Sequence, residues 1–255
     1  MTAVAIIPAR GGSKGIPKKN LRTVRGLTLV ERSIIHARQT PDIGRIIVTS
    51  DDDEILSHAA ECGAEPLKRP AELATDTANG DDVLVHALTS IGCTAETTPE
   101  HLTVMLLPTA PLRPNGVIHR CVRTVADGFA DSILTVYPGH FAWHQEYTWA
   151  ENPGGLGRTT ESEWRPVLGQ LRQRKNRQEI HWREQLFIEN GSVYVTRSAL
   201  LIKEGHRLGG RIAIETMDRA DSIDVDTEYD LWLAEMRAHY LGESVRSYRA
   251  AAVSA

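Results

Sequence analysis

The chain is poor in the features that mark membrane-bound, secreted and metal-stapled proteins. No stretch approaches the roughly 18 apolar residues of a spanning helix, and Met1-Thr2-Ala3-Val4 is no charged region leading into a long apolar one. The expectation is a soluble cytoplasmic protein without a membrane partner. Cysteine is scarce: Cys62, Cys93 and Cys121 are scattered with no C-x-x-C spacing, so neither a disulfide framework nor a structural zinc site is indicated. They are expected to pack as small apolar groups. An excess of one charge is also lacking, since a net −4 with the signs well mixed gives no reason to expect nucleic acid. After its first strand the chain carries neither G-x-x-x-x-G-K-[ST] nor G-x-G-x-x-G, which disfavours a kinase-like P-loop and a dinucleotide reader. No internal repeat is visible.

What is present begins at the N-terminus. The apolar run Ile6-Ile7-Pro8-Ala9 opens into Arg10-Gly11-Gly12-Ser13-Lys14-Gly15-Ile16-Pro17-Lys18-Lys19-Asn20, a basic, glycine-rich loop. Gly11, Gly12 and Gly15 permit positive φ and close backbone approach, so consecutive N–H groups can form an anion nest, while Arg10, Lys14, Lys18 and Lys19 add charge. That chemistry suits a polyphosphate. A solvated Gly/Lys turn has the same composition, but α/β sheets bind ligands at the carboxyl ends of their strands, where this loop falls.

At 255 residues the chain can bury a sizeable core, as one domain or one domain with an appendage. Strand patterns at 4–8, 45–49, 103–107 and 132–136 alternate with helical ones through Val30, Ile34 and Ala37, from Asp51, over 81–91 and over 116–129. This predicts an α/β, Rossmann-like fold with a mostly parallel sheet. Asp51, with Glu54 three residues on, is the expected cap of the second helix and Gly63 its stop. Between 138 and 185 the periodicity weakens and the texture becomes aromatic, with a glycine-rich turn at 152–157 and a basic stretch holding Arg172, Arg174, Lys175, Arg177 and Arg183. The segment reads as an arm inserted into a core of 1–137 and 186–243, with 244–255 as a flexible tail. Its aromatics could stack bases, but the acidic balance of the chain argues against nucleic acid. Strand patterns return at 186–188, 192–196 and 211–214, before a last helix over 227–240.

A second site lies in Asp221-Ser222-Ile223-Asp224-Val225-Asp226-Thr227-Glu228-Tyr229-Asp230. In a strand, the two-residue spacing of Asp224 and Asp226 points both carboxylates to one face, which suits oxygen ligation of Mg²⁺. The same stretch also suits a cap for the last helix, with Asp226 or Thr227 as N-cap and Asp230 in the first turn. Beside a polyphosphate loop the metal reading gains weight, because nucleotidyl transfer commonly uses a metal to neutralise developing charge.

Five motifs then occur in order: the opening loop; Lys68-Arg69-Pro70 with Leu73-Ala74 and Asp76; Pro108-Thr109-Ala110-Pro111-Leu112-Arg113; Asn190-Gly191 with Tyr194; and Ser222-Ile223-Asp224-Val225-Asp226-Thr227. Together they resemble the acylneuraminate cytidylyltransferase family, the CMP-sialic acid synthetases and their relatives. The resemblance implies a nucleotidyltransferase core, a homodimer formed through the small inserted arm, CTP as the nucleotide, Mg²⁺ as cofactor and an acidic acceptor. An acceptor oxygen would attack the α-phosphorus of CTP in line and release pyrophosphate, with no covalent enzyme intermediate. Arg10, Gly11, Gly12, Ser13 and Lys14 match the phosphate-contacting positions, Arg10 and Lys14 being the catalytic cations, and Asn20, Arg69, Ala78 and Gly80 match residues around the nucleotide. Asp224 and Asp226 match the metal ligands. Arg177 resembles the arginine that grips the acceptor carboxylate, with Arg174 or Lys175 able to take its place, and Tyr194 resembles the tyrosine beside the acceptor.

The departures concern the acceptor. Leu107 stands where sialic acid enzymes typically carry a glutamine, His144 where a lysine is usual, and His206-Arg207-Leu208 where an aromatic pair is expected; Gly80 replaces a common serine. An apolar Leu107 with an added cation at Arg207 would suit a smaller or more anionic acceptor. The acceptor is therefore a nonulosonic, sialic-type sugar acid or, in the rival reading, a small phosphonate. A non-catalytic CTP or CMP sensor is the reading from another class, and the presence of Lys14, Asp224 and Asp226 together argues against it.

Overall fold

Both faces of the first strand, β1 (Ala3–Pro8), are covered: Ala5 and Ile7 join one apolar cluster, Val4 and Ile6 another. A strand buried on both faces reads as a continuous apolar run. The computed structural model describes residues 3–96, 101–139, 143–150, 158–166 and 185–243. Ile6 and Ile7 are wholly buried, and side chains of this size contribute about 1.5–3 kcal/mol each when removed from water. The glycine-rich loop thus leaves from a firmly anchored strand.

A one-turn helix, Lys19–Leu21, then leads into a hairpin of β2 (Thr23–Val24) and β3 (Leu27–Thr28). Its two-residue turn holds Arg25 and Gly26 at φ 52° and 77°, the left-handed pair that such a tight turn requires. Arg25 is kept there by its N–H donating to Glu235 Oε2 at 2.5 Å and its Nε donating to the Glu243 carbonyl at 3.1 Å. α1 (Leu29–Arg38) follows behind a capping box of Thr28 and Glu31, and buries the predicted Val30, Ile34 and Ala37.

The alternation continues through β4 (Ile43–Ser50), α2 (Asp53–Glu61), β5 (Glu65–Lys68), α3 (Gly80–Ser90), β6 (Leu102–Leu106), α4 (Val117–Ala126) and β7 (Ser132–Gly139). β8 (Trp143–Ala150) and β9 (Arg158–Pro166) form a separate antiparallel pair. The chain returns through β10 (Leu186–Arg197), α5 (Ser198–Glu204), β11 (Ile212–Thr216) and α6 (Glu228–Tyr240). Seven strands make the main sheet in the order β11-β7-β10-β6-β1-β4-β5. β1 pairs in parallel with both β4 and β6, β4 with β5, and β7 with β11, while β10 runs antiparallel to β6. The sheet is mostly parallel and wrapped by helices, the α/β architecture that the alternating pattern predicts.

The predicted gap between 188 and 192 is absent: β10 is continuous, and Gly191 at φ 66° absorbs the irregularity. Asn190 is buried there, its Oδ1 accepting from Thr135 Oγ1 at 2.7 Å and from the Ser192 N–H at 3.1 Å. The proline-rich connection after β6 is held by Arg113, whose guanidinium donates to the carbonyls of Leu107 at 2.7 Å and Ser192 at 3.1 Å.

The described residues divide into two compact units, one within Met1–Val136 and Glu189–Ala255, the other within Tyr137–Ile188. The glycine-rich turn at 152–157, the basic stretch holding Arg172, Arg174, Lys175, Arg177 and Arg183, and the tail at 244–255 lie outside the described residues. Among the described residues no helix is long and apolar enough to cross a membrane. Cys93 and Cys121 are buried as expected; Cys62 is half-buried, its Sγ 3.8 Å from His58 Nε2. Glu31 completes a group of potential metal ligands there, although His58 Nε2 also lies 2.8 Å from the hydroxyl of Thr28, the cap of α1.

Candidate active site

The chain leaves β1 for β4 and β5 on one side and later returns to β6 on the other, so the carboxyl end of β1 is the switch point of the sheet. Ligands of open α/β sheets bind in the crevice at that point, and the glycine-rich loop sits there. Its backbone is pinned from two sides. Asn20, buried, donates from Nδ2 to the Arg10 carbonyl at 2.9 Å, and Asp51 Oδ1 accepts the Gly11 N–H at 2.9 Å.

Two expectations about this loop need correction. Asp51 does not cap α2; its neighbour Asp52 does, accepting from the N–H groups of Glu54 at 2.8 Å and Ile55 at 3.2 Å. That frees Asp51 to hold the loop. The glycines are not used for positive φ either, since none of Gly11, Gly12 and Gly15 adopts it. Gly11 and Gly15 answer to close approach instead: a Cβ at Gly11 would lie 2.6 Å from Asp52 Oδ2, and one at Gly15 would lie 2.3 Å from the Asp226 carbonyl oxygen. Gly12 faces open space and Ser13 is half-buried.

The loop's cations are already paired. Arg10 Nη1 and Lys14 Nζ meet the two oxygens of Asp76 at 2.7 and 2.5 Å, holding that carboxyl below the usual range, with Lys14 the larger influence. Lys18, a non-glycine residue at φ 51°, pairs with Glu54 at 2.5 Å. Lys19 reaches across the sequence to Asp226 at 2.7 Å.

Lys19 and Gly15 therefore bring the second acidic motif to the loop. Asp224 and Asp226 are in no strand, but exposure alternates along their segment, with Val225 buried between them. Val225 is wholly buried and donates its N–H to the Thr109 carbonyl at 2.7 Å, which leaves the flanking carboxylates exposed. Upstream, Asn190 Nδ2 donates to Ser222 Oγ at 2.9 Å and fixes the start of the segment. Downstream, Thr227 rather than Asp226 is the N-cap of α6, in a capping box with Asp230. The Asp224 carboxyl is raised above the usual range, first by desolvation and then by the like charges of Asp226 and Asp230, against a hydrogen bond from Thr109 and the charge of Lys19. Hard oxygen donors that repel one another, with a single lysine in attendance, fit a divalent cation.

Of the residues expected around the nucleotide, Arg69 is buried with Nη2 donating to the Thr49 carbonyl at 2.7 Å, and desolvation lowers its pKa. Its Nε is buried without a hydrogen-bond partner among the described residues. Ala78 is half-buried in the connection before α3, and Gly80 opens that helix. A Cβ at Gly80 would lie 3.7 Å from Met105 Cε, an ordinary van der Waals contact, so close packing does not require the glycine there.

Of the residues expected beside the acceptor, Tyr194 is buried and Arg207 lies over its ring, 4.6 Å from the centroid. The phenol donates to Glu189, and burial, aided by Glu189, pushes its pKa up. Arg207 Nη1 donates to Asp81 Oδ1 at 2.7 Å, with Glu189 4.0 Å away. Its charge is thus compensated, which weakens its expected contribution as an extra cation for a more anionic acceptor. Arg207 Nε is nonetheless buried without a hydrogen-bond partner among the described residues. Leu107 is half-buried and packs beside Gly191, where an added Cβ would lie 3.3 Å from its Cδ1. His144 lies on β8, in the other unit, and Arg177 lies outside the described residues.

The sequence pattern placed Asp76 in a motif without a role and passed over Asp81 and Glu189, which become visible only when distant segments meet. A cavity of about 460 Å³ beside His36, Thr40, Arg113, Asn115 and His119 shares no residue with this constellation.

The cytidylyltransferase family profile matches residues 4–137 of the chain. N-acylneuraminate cytidylyltransferase A of Danio rerio is 29% identical over 93% of this chain, which spans 51% of that longer protein. CMP-N,N'-diacetyllegionaminic acid synthase of Legionella pneumophila is 28% identical over 92% of this chain and 95% of its own length. Among solved structures, CMP:2-keto-3-deoxy-manno-octonic acid synthetase complexed with CTP is similar in fold, with a TM-score of 0.62 at 14% identity over 95% of this chain and 99% of that one.

Proposed function

The chain belongs to the cytidylyltransferase family, and from that premise we propose that it transfers CMP from CTP to a nonulosonic, sialic-type sugar acid, releasing pyrophosphate. The observation that carries this reading is the junction of the basic loop with the aspartate pair, made by the contact of Gly15 with the Asp226 backbone and by the 2.7 Å ion pair of Lys19 with Asp226. Cations for a polyphosphate and carboxylates for its counter-cation meet at one sheet edge.

In this reading the acceptor hydroxyl oxygen forms the new bond to the α-phosphorus as the α–β bridging bond breaks; the hydroxyl proton and pyrophosphate leave. Arg10 and Lys14 stabilise the charge that develops on the α-phosphate and the leaving group. Backbone N–H groups of Gly12 and Ser13 line the phosphate path; the Gly11 N–H, expected to join them, is instead held by Asp51. Arg69 Nε, a buried donor without a partner among the described residues, is directed to the nucleotide together with Asn20, Ala78 and Gly80. Asp224 and Asp226 would hold Mg²⁺, which when bound neutralises phosphate charge. Tyr194, Leu107 and Arg207 line the acceptor position, and the protein acts as a homodimer.

The sugar-acid reading is preferred to the phosphonate one because Arg207 is matched by Asp81, with Glu189 near, so the cluster offers no surplus positive charge for a dianionic group. It is tested with a panel of CTP acceptors: N-acetylneuraminate, a legionaminic-type acid and a hydroxyalkylphosphonate, following pyrophosphate. Turnover of a nonulosonic acid supports the proposal. Turnover of the phosphonate alone overturns the acceptor, and the absence of pyrophosphate release with every acid overturns the activity and favours a sensor.

A further inference from the structure

The carboxylate of Asp76 bridges the two cations to which the proposed function gives the phosphates. Its two oxygens are divided between them, Oδ1 to Arg10 Nη1 at 2.7 Å and Oδ2 to Lys14 Nζ at 2.5 Å. Arg10 Nη1 also reaches the carbonyl of Thr75 at 3.3 Å, so the cation is shared by adjacent residues of one connection. A carboxylate held between two cations presents them with the charge and oxygen spacing of a phosphate edge. It is also exposed: the side chains of Lys14 and Asp76 keep 82% and 45% of their accessible surface, so the pairs are screened by water and readily exchanged.

We propose that Asp76 is an internal counter-anion of the phosphate site, holding Arg10 and Lys14 together until a polyphosphate displaces it. The inference rests on the cytidylyltransferase reading of this loop. Displacement has a structural consequence. Asp76 lies in the connection that runs from the one-turn helix Ala71–Leu73 to α3 and carries Ala78, downstream of Arg69. Filling the phosphate position therefore frees this connection from its tether at Asp76, without a change at the residues given to the base. Exposure keeps this tether weak: a buried pair in the same place would compete too strongly with the substrate.

The inference separates from a purely structural role of Asp76 by what each fragment of the nucleotide reports. Calorimetric titration of the full-length protein compares CTP, inorganic triphosphate and cytidine on the wild type, Asp76→Asn, Lys14→Ala and the Asp76→Asn/Lys14→Ala double variant. Asp76→Asn is expected to bind triphosphate and CTP about two- to fivefold more tightly, the range of an exposed ion pair, with cytidine unchanged. In the Lys14→Ala background the gain is expected to shrink, because half of the competition is gone. Unchanged or weaker triphosphate binding by Asp76→Asn, in a wild type that binds CTP, overturns the counter-anion while leaving the enzyme reading intact. A parallel change in cytidine affinity also overturns it, by showing a distorted loop. Failure of the wild type to bind CTP removes both.

Discussion

The two sides to which the proposed function gives the phosphates and the acceptor handle charge in opposite ways. On the phosphate side, Lys14 and Arg10 share one exposed carboxylate, with Lys14 82% exposed. On the acceptor side, Arg207 is bound to an Asp81 that is 2% exposed and covers the ring of a buried Tyr194. Exposed pairs contribute little to stability and are easily exchanged, whereas buried ones are costly to break by removing one partner. On the proposed function, one side is therefore suited to accept a charged newcomer, and the other to keep a fixed shape.

This contrast is broken most directly at Lys14. Lys14→Ala is expected to lower kcat by about 10²–10³-fold, as loss of one charge-stabilising donor does, while the urea midpoint stays unchanged. The opposite pattern is expected at Asp81. Asp81→Asn leaves Arg207 without its counter-charge and costs about 2 kcal/mol in urea denaturation, less than the 3–5 of a fully buried pair because Arg207 keeps some solvent; KM for the acceptor rises more than KM for CTP.

Gly15→Ala sharpens the junction between the two acidic and basic motifs. The added methyl meets the Asp226 carbonyl, a backbone atom that can move only with its segment, so a loss of about 1–3 kcal/mol and reduced activity are expected, read by thermal denaturation and pyrophosphate release. Gly12→Ala, facing open space, is the control that retains stability.

The smallest expected effect is a gain in stability. Because the folded state raises the Asp224 pKa, it favours the protonated form, and the resulting penalty is absent below the ordinary value of about 3.9 and complete at neutral pH. Asp224→Asn is thus expected to raise the thermal midpoint slightly at pH 7, to lose that advantage as the pH falls through the carboxylate range, and to abolish Mg²⁺-dependent turnover. A lowered midpoint at pH 7 would show that the carboxylate serves structure rather than function.

How much of this was legible in the sequence differs along the same divide. The alternating apolar runs around Ile6, Val48 and Val104 announced the parallel sheet, because strands covered on both faces cannot be polar. The basic loop and the spacing of Asp224 and Asp226 were local signals, and both lie at one site. Other features depend on contacts that no local pattern carries. Asp51 and Asp52 are chemically identical neighbours, and only the loop's approach decides that one holds Gly11 while the other caps α2. Arg207 reads as a free cation until a residue 126 positions away neutralises it. The turn at Arg25-Gly26 was hidden because its arginine is held in a left-handed conformation by α6 and the chain beyond it.

The central claim is that the glycine loop and the aspartate pair act on one CTP molecule, cleaving it between the α- and β-phosphates. ³¹P NMR of the full-length protein with CTP, Mg²⁺ and a nonulosonic acid tests this most directly. The account predicts that the three CTP resonances give way to pyrophosphate and a single phosphodiester, in equal amounts and only when the acid is present. Inorganic phosphate released from the γ-position, or CTP unchanged with every acid supplied, would contradict it.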